Sequence, residues 1–366
     1  MNYQSVIFSK YLGDEQLQQV VSDEAFIKKI LLFEIALAKA QSGLGMISKK
    51  VAEEINLKVK KVIISPKDLA DGTLLNGIPV ITILAIVKEK LSAEGKKYLH
   101  FGATSQDAMD TAQVLMIKDA VTVIEKKLTT LSTIFSKLLK RYNETPCMAH
   151  TRGQQAIPIT FGVKINAWLQ PLQRQMQRLT EMKQHLFIIQ LGGAAGTLSF
   201  YGDKAKKLTD IFAKELQLQS APQWHTQRDH LCEFTNWLAI LTGILGKMGA
   251  DILVMSQTEI NEVIENAEGG GKSSTMQHKN NPVLSEALVA ISKLNATLQS
   301  QMLQSLVHVN ERDATAWILE WNAIPQMVIN TGASLNHALT IAAKMKVKTQ
   351  NMKKNVEGFL KNTDQK

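Results

Sequence analysis

The sequence predicts an all-α protein built as an elongated helical bundle, and three observations carry that prediction. Val114, Ile117, Val121, Ile124, Leu128, Leu131, Phe135 and Leu138 alternate steps of three and four residues, a heptad seam that needs a partner helix alongside it. A second long run opens at Pro282, a residue suited to a first helical turn, and carries Leu284, Leu288, Ile291, Leu298 and Met302, interrupted by Asn295 and Ser305. Strand-like alternation is scarce. Helices of roughly 25 residues or more, against a usual length of about 11 to 12, point to long rods packed side by side.

In chain order, helical periodicity covers about 22 to 42, the seam from 114, 158 to 188, 228 to 264, the run from 282, and 322 to 346. The best strand candidate is HLFIIQL at 185–191, followed by GGAAGT. Leu191 breaks the dinucleotide-binding glycine pattern and no βα alternation surrounds it, so a helix end with a Gly-rich turn is expected. The pattern divides into an N-terminal helical domain (1–105), a central long-helix bundle (106–350) and a short C-terminal remnant (351–366).

A chain of 366 residues with 45% hydrophobic residues can bury a sizeable core. Lys and Arg number 42 against 33 Asp and Glu, a formal charge of +9 that suits an anionic partner. Aromatics are only 6% and do not interleave with a basic stripe, so nucleic acid is not an expected partner. The densest lysine cluster, Lys344 to Lys354, is expected to do no more than solvate the C-terminal end. Cys147 and Cys232 form no CxxC or Cys/His ligand spacing, which predicts reduced thiols. No leader pattern and no run approaching ~18 apolar residues is visible, so the expectation is a soluble, cytoplasmic protein without a membrane partner. No cofactor or metal is expected: Walker A and HExxH sequences are missing, and His225 and His230 lack ligand spacing and are expected at the surface or hydrogen-bonded.

Three polar islands interrupt the helices: His100 to Asp107, His150 to Gln155, and GGGKSSTMQHKNNP at 269–282. Each is expected at the start of a long helix, where free N–H groups and the macrodipole favour carboxylates. Thr104, Ser105 and Asp107 are also capping residues, and capping alone would account for the first island. It does not account for the third, where glycines, hydroxyls, Lys279 and Asn281 coincide.

The third island resembles the SSxMPxKxN signature of the fumarase/aspartase superfamily, with Ser273, Ser274, Met276, Lys279, Asn281 and Glu286 in matching places. The likeness continues through NGIPVI at 76–81, HFGATSQDAMDTA at 100–112, QQAIPITFG at 154–162, QLGGAAGTL at 190–198 and ERDATAWILEWNAIP at 311–325. It spans about residues 70 to 345 and is nearest to the carboxymuconate-lactonising cycloisomerases. It implies an all-α homotetramer whose central helices form a multi-helix core, with active sites shared between subunits and a small polycarboxylate substrate. It also implies Ser273 as the catalytic proton carrier, with Lys279 and Asn281 holding the substrate carboxylate beside it. Thr104 and Ser105 would make a second carboxylate contact; Thr151, Arg152, Gln154, Gln155, Ser274, Thr275, Met276 and Arg312 would complete the substrate site.

The chemistry makes these residue types intelligible. A carbanion beside a carboxylate spreads charge onto the carboxylate oxygens, where an ammonium, an amide and N–H groups stabilise the transition state. Serine handles a carbon-bound proton only where an alkoxide is stabilised, here expected from Lys279 and unpaired N–H groups. Glycines 269–271 would let the loop open and close. One departure bears on the reaction: Arg152 stands where related lyases carry an acidic His, with His150 in place of the Arg. Arginine does not give up a proton near neutral pH, whereas a carboxylate, of pKa about 4, leaves unaided. Cycloisomerisation is therefore favoured over an adenylosuccinate-type C–N elimination, and Arg152 is expected to orient a carboxylate. Lys272, Gln277 and Asn310 also depart from the family pattern, leaving a catalytically silent helical scaffold as a third reading. The chain is expected to carry a shortened C-terminal domain.

Overall fold

The computed structural model describes residues 5–266, 268–277 and 279–363. Short helices α1 (Ser9–Leu12) and α2 (Glu15–Val20) lead into α3 (Asp23–Gly43). Ser22 caps α3 by accepting from Ala25 N, and Asp23 and Glu24 complement the macrodipole in its first turn. The helices α4 (Lys49–Val59), α5 (Ala70–Asn76), α6 (Val80–Lys88) and α7 (Ala93–Tyr98) complete the N-terminal part.

The long rods follow. In α8 (Ser105–Tyr142) the seam residues from Val114 to Phe135 are buried, and Leu138 is partly buried. Against it pack α9 (Phe161–Leu186) and α13 (Ala314–Lys344); α11 (Asp229–Met255) packs on both and α12 (Val283–Gln304) on α11 and α13, with α10 (Ala205–Glu215) against α3. Asn295 and Ser305 break the apolar stripe of α12 without breaking its packing. Asn295 Nδ2 donates to Met327 O and Thr331 Oγ1, and Ser305 Oγ donates to Met302 O, so both polar groups are buried with partners.

The structure corrects several expectations. Residues 146–160 form a β-hairpin, β1 (Pro146–Thr151) and β2 (Gln154–Thr160), where no strands were expected. The periodicity of 228–264 ends as helix at Met255, because a turn leads into β3 (Val263–Ile264), which pairs with β4 (Lys346–Val347). HLFIIQL is the end of α9 followed by one bridge, Ile188 to Gln219. The last helix, α14 (Thr349–Thr363), packs on β1, so the expected remnant from 351 begins inside an element that meets the hairpin; residues 1–4 and 364–366 lie outside the described residues. Lys344 and Lys348, expected only to solvate, bond to Glu268 and Asn261. Both cysteines are free and buried.

Among the described residues α11 is long and apolar enough to cross a membrane, with mean hydropathy 1.7 over 18 residues, although no uninterrupted apolar run reaches that length. Half of that window is buried in the bundle against α12, α9 and α13, the setting of a core helix.

Candidate active site

At the N-terminal end of α8, Thr104 and Asp107 form a capping box, with Thr104 N donating to Asp107 Oδ2 at 3.0 Å. Asp107 does far more than cap. Wholly buried, it also accepts from Gly192 N (2.8 Å), Gly193 N (2.9 Å) and Gln190 Nε2 (3.2 Å), and His225 Nε2 lies 2.8 Å from Oδ1. The Gly-rich turn is thereby locked to the helix end. A Cβ on Gly192 would stand 2.6 Å from the His225 ring, so only glycine allows this approach. His225 and His230, expected at the surface or hydrogen-bonded, are both buried. His225 is hydrogen-bonded, whereas His230 packs edge-on to Trp224 and burial holds its pKa down at about 3.

Arg312 reaches into this end of the fold, donating from Nη1 to Thr104 Oγ1 and from Nη2 to Ala194 O, each at 2.6 Å. Ile78, Thr104, Ser105, Gln106, Arg312 and Trp317 line a cleft of about 290 Å³. An arginine and the first-turn N–H groups of α8 share it with Asp313, whose carboxylate is taken up by the N–H groups of Val309 and Thr315, a setting that suits a carboxylate. Behind it, Arg228 pairs with Asp110 at 2.8 and 2.9 Å and with Glu320 at 2.7 and 2.6 Å, all three side chains fully buried. Burial opposes the Arg228 charge, but the two carboxylates outweigh it and raise its pKa. Trp317 Nε1 and Gln106 Nε2 donate to Asp110, so the ion cluster fixes two walls of the cleft. Nearby, His100 Nδ1 lies 2.6 Å from Glu34 Oε1. Burial lowers the His100 pKa, but the Glu34 charge and hydrogen bond overcome it and leave it raised.

The second island lies in the hairpin and not at a helix start. Thr151 pairs with Gln154 across Arg152 (φ 53) and Gly153 (φ 81), the two left-handed residues of a tight turn that matches strand twist. Thr151, Arg152, Gln154 and Gln155 are exposed, and Arg152 has no hydrogen bond or ion pair among the described residues. Geometry separates this tip from the cleft. The 38 residues of α8 extend about 57 Å at ~1.5 Å per residue. Even if the ten residues from Tyr142 to Arg152 ran straight back at ~3.3 Å each, more than about 20 Å would remain.

The third island does precede a helix, α12. Glu265 closes its base: one carboxylate oxygen accepts from Leu284 N (3.0 Å) and the other from Ser285 N (2.6 Å). Inside that clamp, Asn281 N donates to Gly271 O at 2.8 Å and Lys272 bridges to Asn280. Gly269, Gly270 and Gly271 have φ of 119, 128 and 62°, and a Cβ on Gly271 would fall 1.9 Å from Asn281 O. Ser273 Oγ accepts from Met276 N (3.1 Å) and Thr275 N (3.3 Å) and lies 3.5 Å from Thr275 Oγ1. Among the described residues no hydrogen bond joins Lys279 to Ser273, and backbone N–H groups of Thr275 and Met276 face the serine. Ser274, Thr275, Met276 and Lys279 are exposed and Asn281 is half-buried. This loop shares an end of the molecule with the hairpin, since Cys147 Sγ of β1 lies 3.5 Å from Glu262 Oε2, just before β3.

A lyase family model matches residues 3–294 of the chain. The chain belongs to the fumarase/aspartase lyase family. This lyase is 35% identical over 355 residues to 3-carboxy-cis,cis-muconate cycloisomerase of Pseudomonas aeruginosa, covering 96% of the chain and 77% of that protein. It is 34% identical to the enzyme of the same name from Acinetobacter baylyi, covering 96% and 80%. The crystal structure of 3-carboxy-cis,cis-muconate lactonizing enzyme from Pseudomonas putida superposes with a TM-score of 0.91 at 32% identity, covering 96% of this lyase and 80% of that chain.

Sequence reasoning missed three contributors: Asp107 as organiser of the cleft, Glu265 as clamp, and the Arg228 cluster. Glu265 left only a weak signal, an acidic residue in EINEVIEN with no partner close in sequence.

Proposed function

We propose that this lyase is a cycloisomerase, an intramolecular lyase converting 3-carboxy-cis,cis-muconate to 4-carboxymuconolactone. A carboxylate oxygen of the substrate forms a C–O bond to a diene carbon. The displaced π pair moves to the neighbouring carbon, beside another carboxylate, and the Ser273 hydroxyl delivers its proton there. Solvent then reprotonates the serine. The N–H groups of Thr275 and Met276 aimed at Ser273 Oγ carry this reading, because they stabilise the alkoxide left after proton delivery. Arg152 supports the choice of reaction: no proton has to reach the adding group, and a guanidinium suits a tricarboxylate.

The complete site is a composite of several copies in a homotetramer. Thr104, Ser105 and Arg312 of one copy hold a substrate carboxylate, while the hairpin residues Thr151, Arg152, Gln154 and Gln155 come from another. Ser273, Lys279 and Asn281, with Ser274, Thr275 and Met276, close over the substrate from a loop. The separation along α8 supports this assembly, as do exposed apolar residues on the central helices, among them Ile240, Leu294, Leu303 and Ile318. The test follows loss of diene absorbance on adding carboxymuconate. Turnover by wild type and its collapse in Ser273→Ala is the expected result; no turnover by wild type, or turnover of adenylosuccinate instead, overturns the reading.

A further inference from the structure

A second cavity, lined by no residue of the three islands, adjoins the cleft: its Pro79 and Trp321 neighbour Ile78 and Trp317. It occupies about 440 Å³ between α3, α5, α8 and α13, within the range of about 300–1,000 Å³ usual for small-molecule pockets. Phe26, Met109, Met116, Trp321 and Ile324 give it apolar walls. Among the described residues Asp23 is the one charged residue lining it, and no cationic side chain does. The Asp23 side chain, exposed in the first turn of α3, has no hydrogen bond or ion pair among the described residues, and Ser22, beside it, is committed to capping Ala25. The outer wall, α5, has no buried residue, and its Leu74 and Leu75 are 88% and 84% exposed. A wall so weakly held can yield to an entering molecule.

We propose that this cavity is a binding site for a neutral, mostly apolar aromatic molecule carrying one hydrogen-bond donor, which Asp23 accepts. The polycarboxylate chemistry of the cleft does not extend here. An anion would meet the Asp23 carboxylate with no compensating positive side chain and would lose its hydration against aliphatic walls. A flat ring instead finds Phe26 and Trp321, and the methionines Met109 and Met116 adapt to its outline. Gln113, on the α8 wall, presents a buried Nε2 with no partner among the described residues, and the Trp321 ring lies 4.9 Å from that of Trp317 in the catalytic cleft, so an occupant sits one side chain from the cleft.

Trp321 provides the readout. The probe is 4-bromophenol at pH 7, with 4-bromobenzoate as its anionic counterpart, titrated into the full-length protein while indole fluorescence is followed. The expected result is saturable heavy-atom quenching by the phenol, at least tenfold weaker binding of the benzoate, and loss of the saturable component in Trp321→Phe. Thr73→Phe, which fills the cavity from α5, should abolish saturation while leaving turnover of carboxymuconate intact, and Asp23→Lys should invert the preference between the probes. Non-saturable quenching, or saturable quenching unchanged in both Trp321→Phe and Thr73→Phe, overturns the proposal. So does equal affinity for the two probes, or failure of Asp23→Lys to shift their ratio.

Discussion

At the cleft end of the lyase, Asp107 is fully buried and receives hydrogen bonds from groups of five residues, with the Arg228 ion cluster behind it. At the loop and hairpin end, Ser273 hangs on a loop with three left-handed glycines, and Arg152 projects from an exposed turn. The contrast separates two tasks. Holding a carboxylate calls for dipoles fixed before the substrate arrives, which a dry network provides. Delivering a proton to carbon calls for a group that admits the substrate and then closes, which a glycine-jointed loop allows. The buried network behind the cleft should therefore respond to mutation mainly through stability, and the loop mainly through turnover.

Ser273→Ala breaks the comparison hardest. It should lower kcat by roughly 10³- to 10⁴-fold, the upper range for losing a positioned proton donor, while the melting temperature stays near that of wild type. Arg228→Met tests the opposite end. It strands Asp110 and Glu320 as buried charges and should cost about 3–5 kcal/mol in urea denaturation. Gly271→Ala collides with Asn281 O and should lower kcat by about 100-fold through misplacement of the loop, whereas Gly269→Ala, which meets open space, should cost only its left-handed strain. Arg152→Ala should reduce kcat/KM by about tenfold or more with no change in unfolding free energy, since the residue is exposed and charge-assisted hydrogen bonds are worth about 1.5–3 kcal/mol.

The smallest effect is a pH dependence. Burial holds the His230 pKa near 3, so below ~6.5 the unfolded chain takes up a proton that the folded one does not. Its contribution to stability is complete above that value and falls as pH drops. Between pH 7 and 5 the loss should be about 1–2 kcal/mol in wild type and missing from His230→Phe, read as the difference between their urea midpoints at the two pH values.

Much of the fold was legible because helix burial repeats locally: the α8 seam from Val114 to Phe135 is buried as its spacing implies. The hairpin escaped because its turn is Arg152-Gly153 and not the Asn-Gly or Asp-Gly pair that announces such a turn, and because Ile157 and Pro158 are exposed, which blurs the alternation. In the candidate site, Ser273 and Thr104 were legible through motif resemblance. Asp107 was visible only as a capping residue, since the partners that make it an organiser lie 83 to 118 positions away. Glu265 was hidden for the same reason, with its amide partners 19 and 20 residues further on.

The central claim is that the two ends act on one substrate only when different copies bring them together. Subunit mixing tests it most directly. Thr104→Val with Arg312→Ala disables the cleft end, Ser273→Ala disables the loop end, and each variant alone should be nearly inactive on carboxymuconate. After denaturation and joint refolding, with mixed oligomers verified by native mass spectrometry, the account predicts that activity returns, because some sites then draw an intact cleft and an intact loop from different copies. Mixed oligomers that form and remain as inactive as their parents would contradict it.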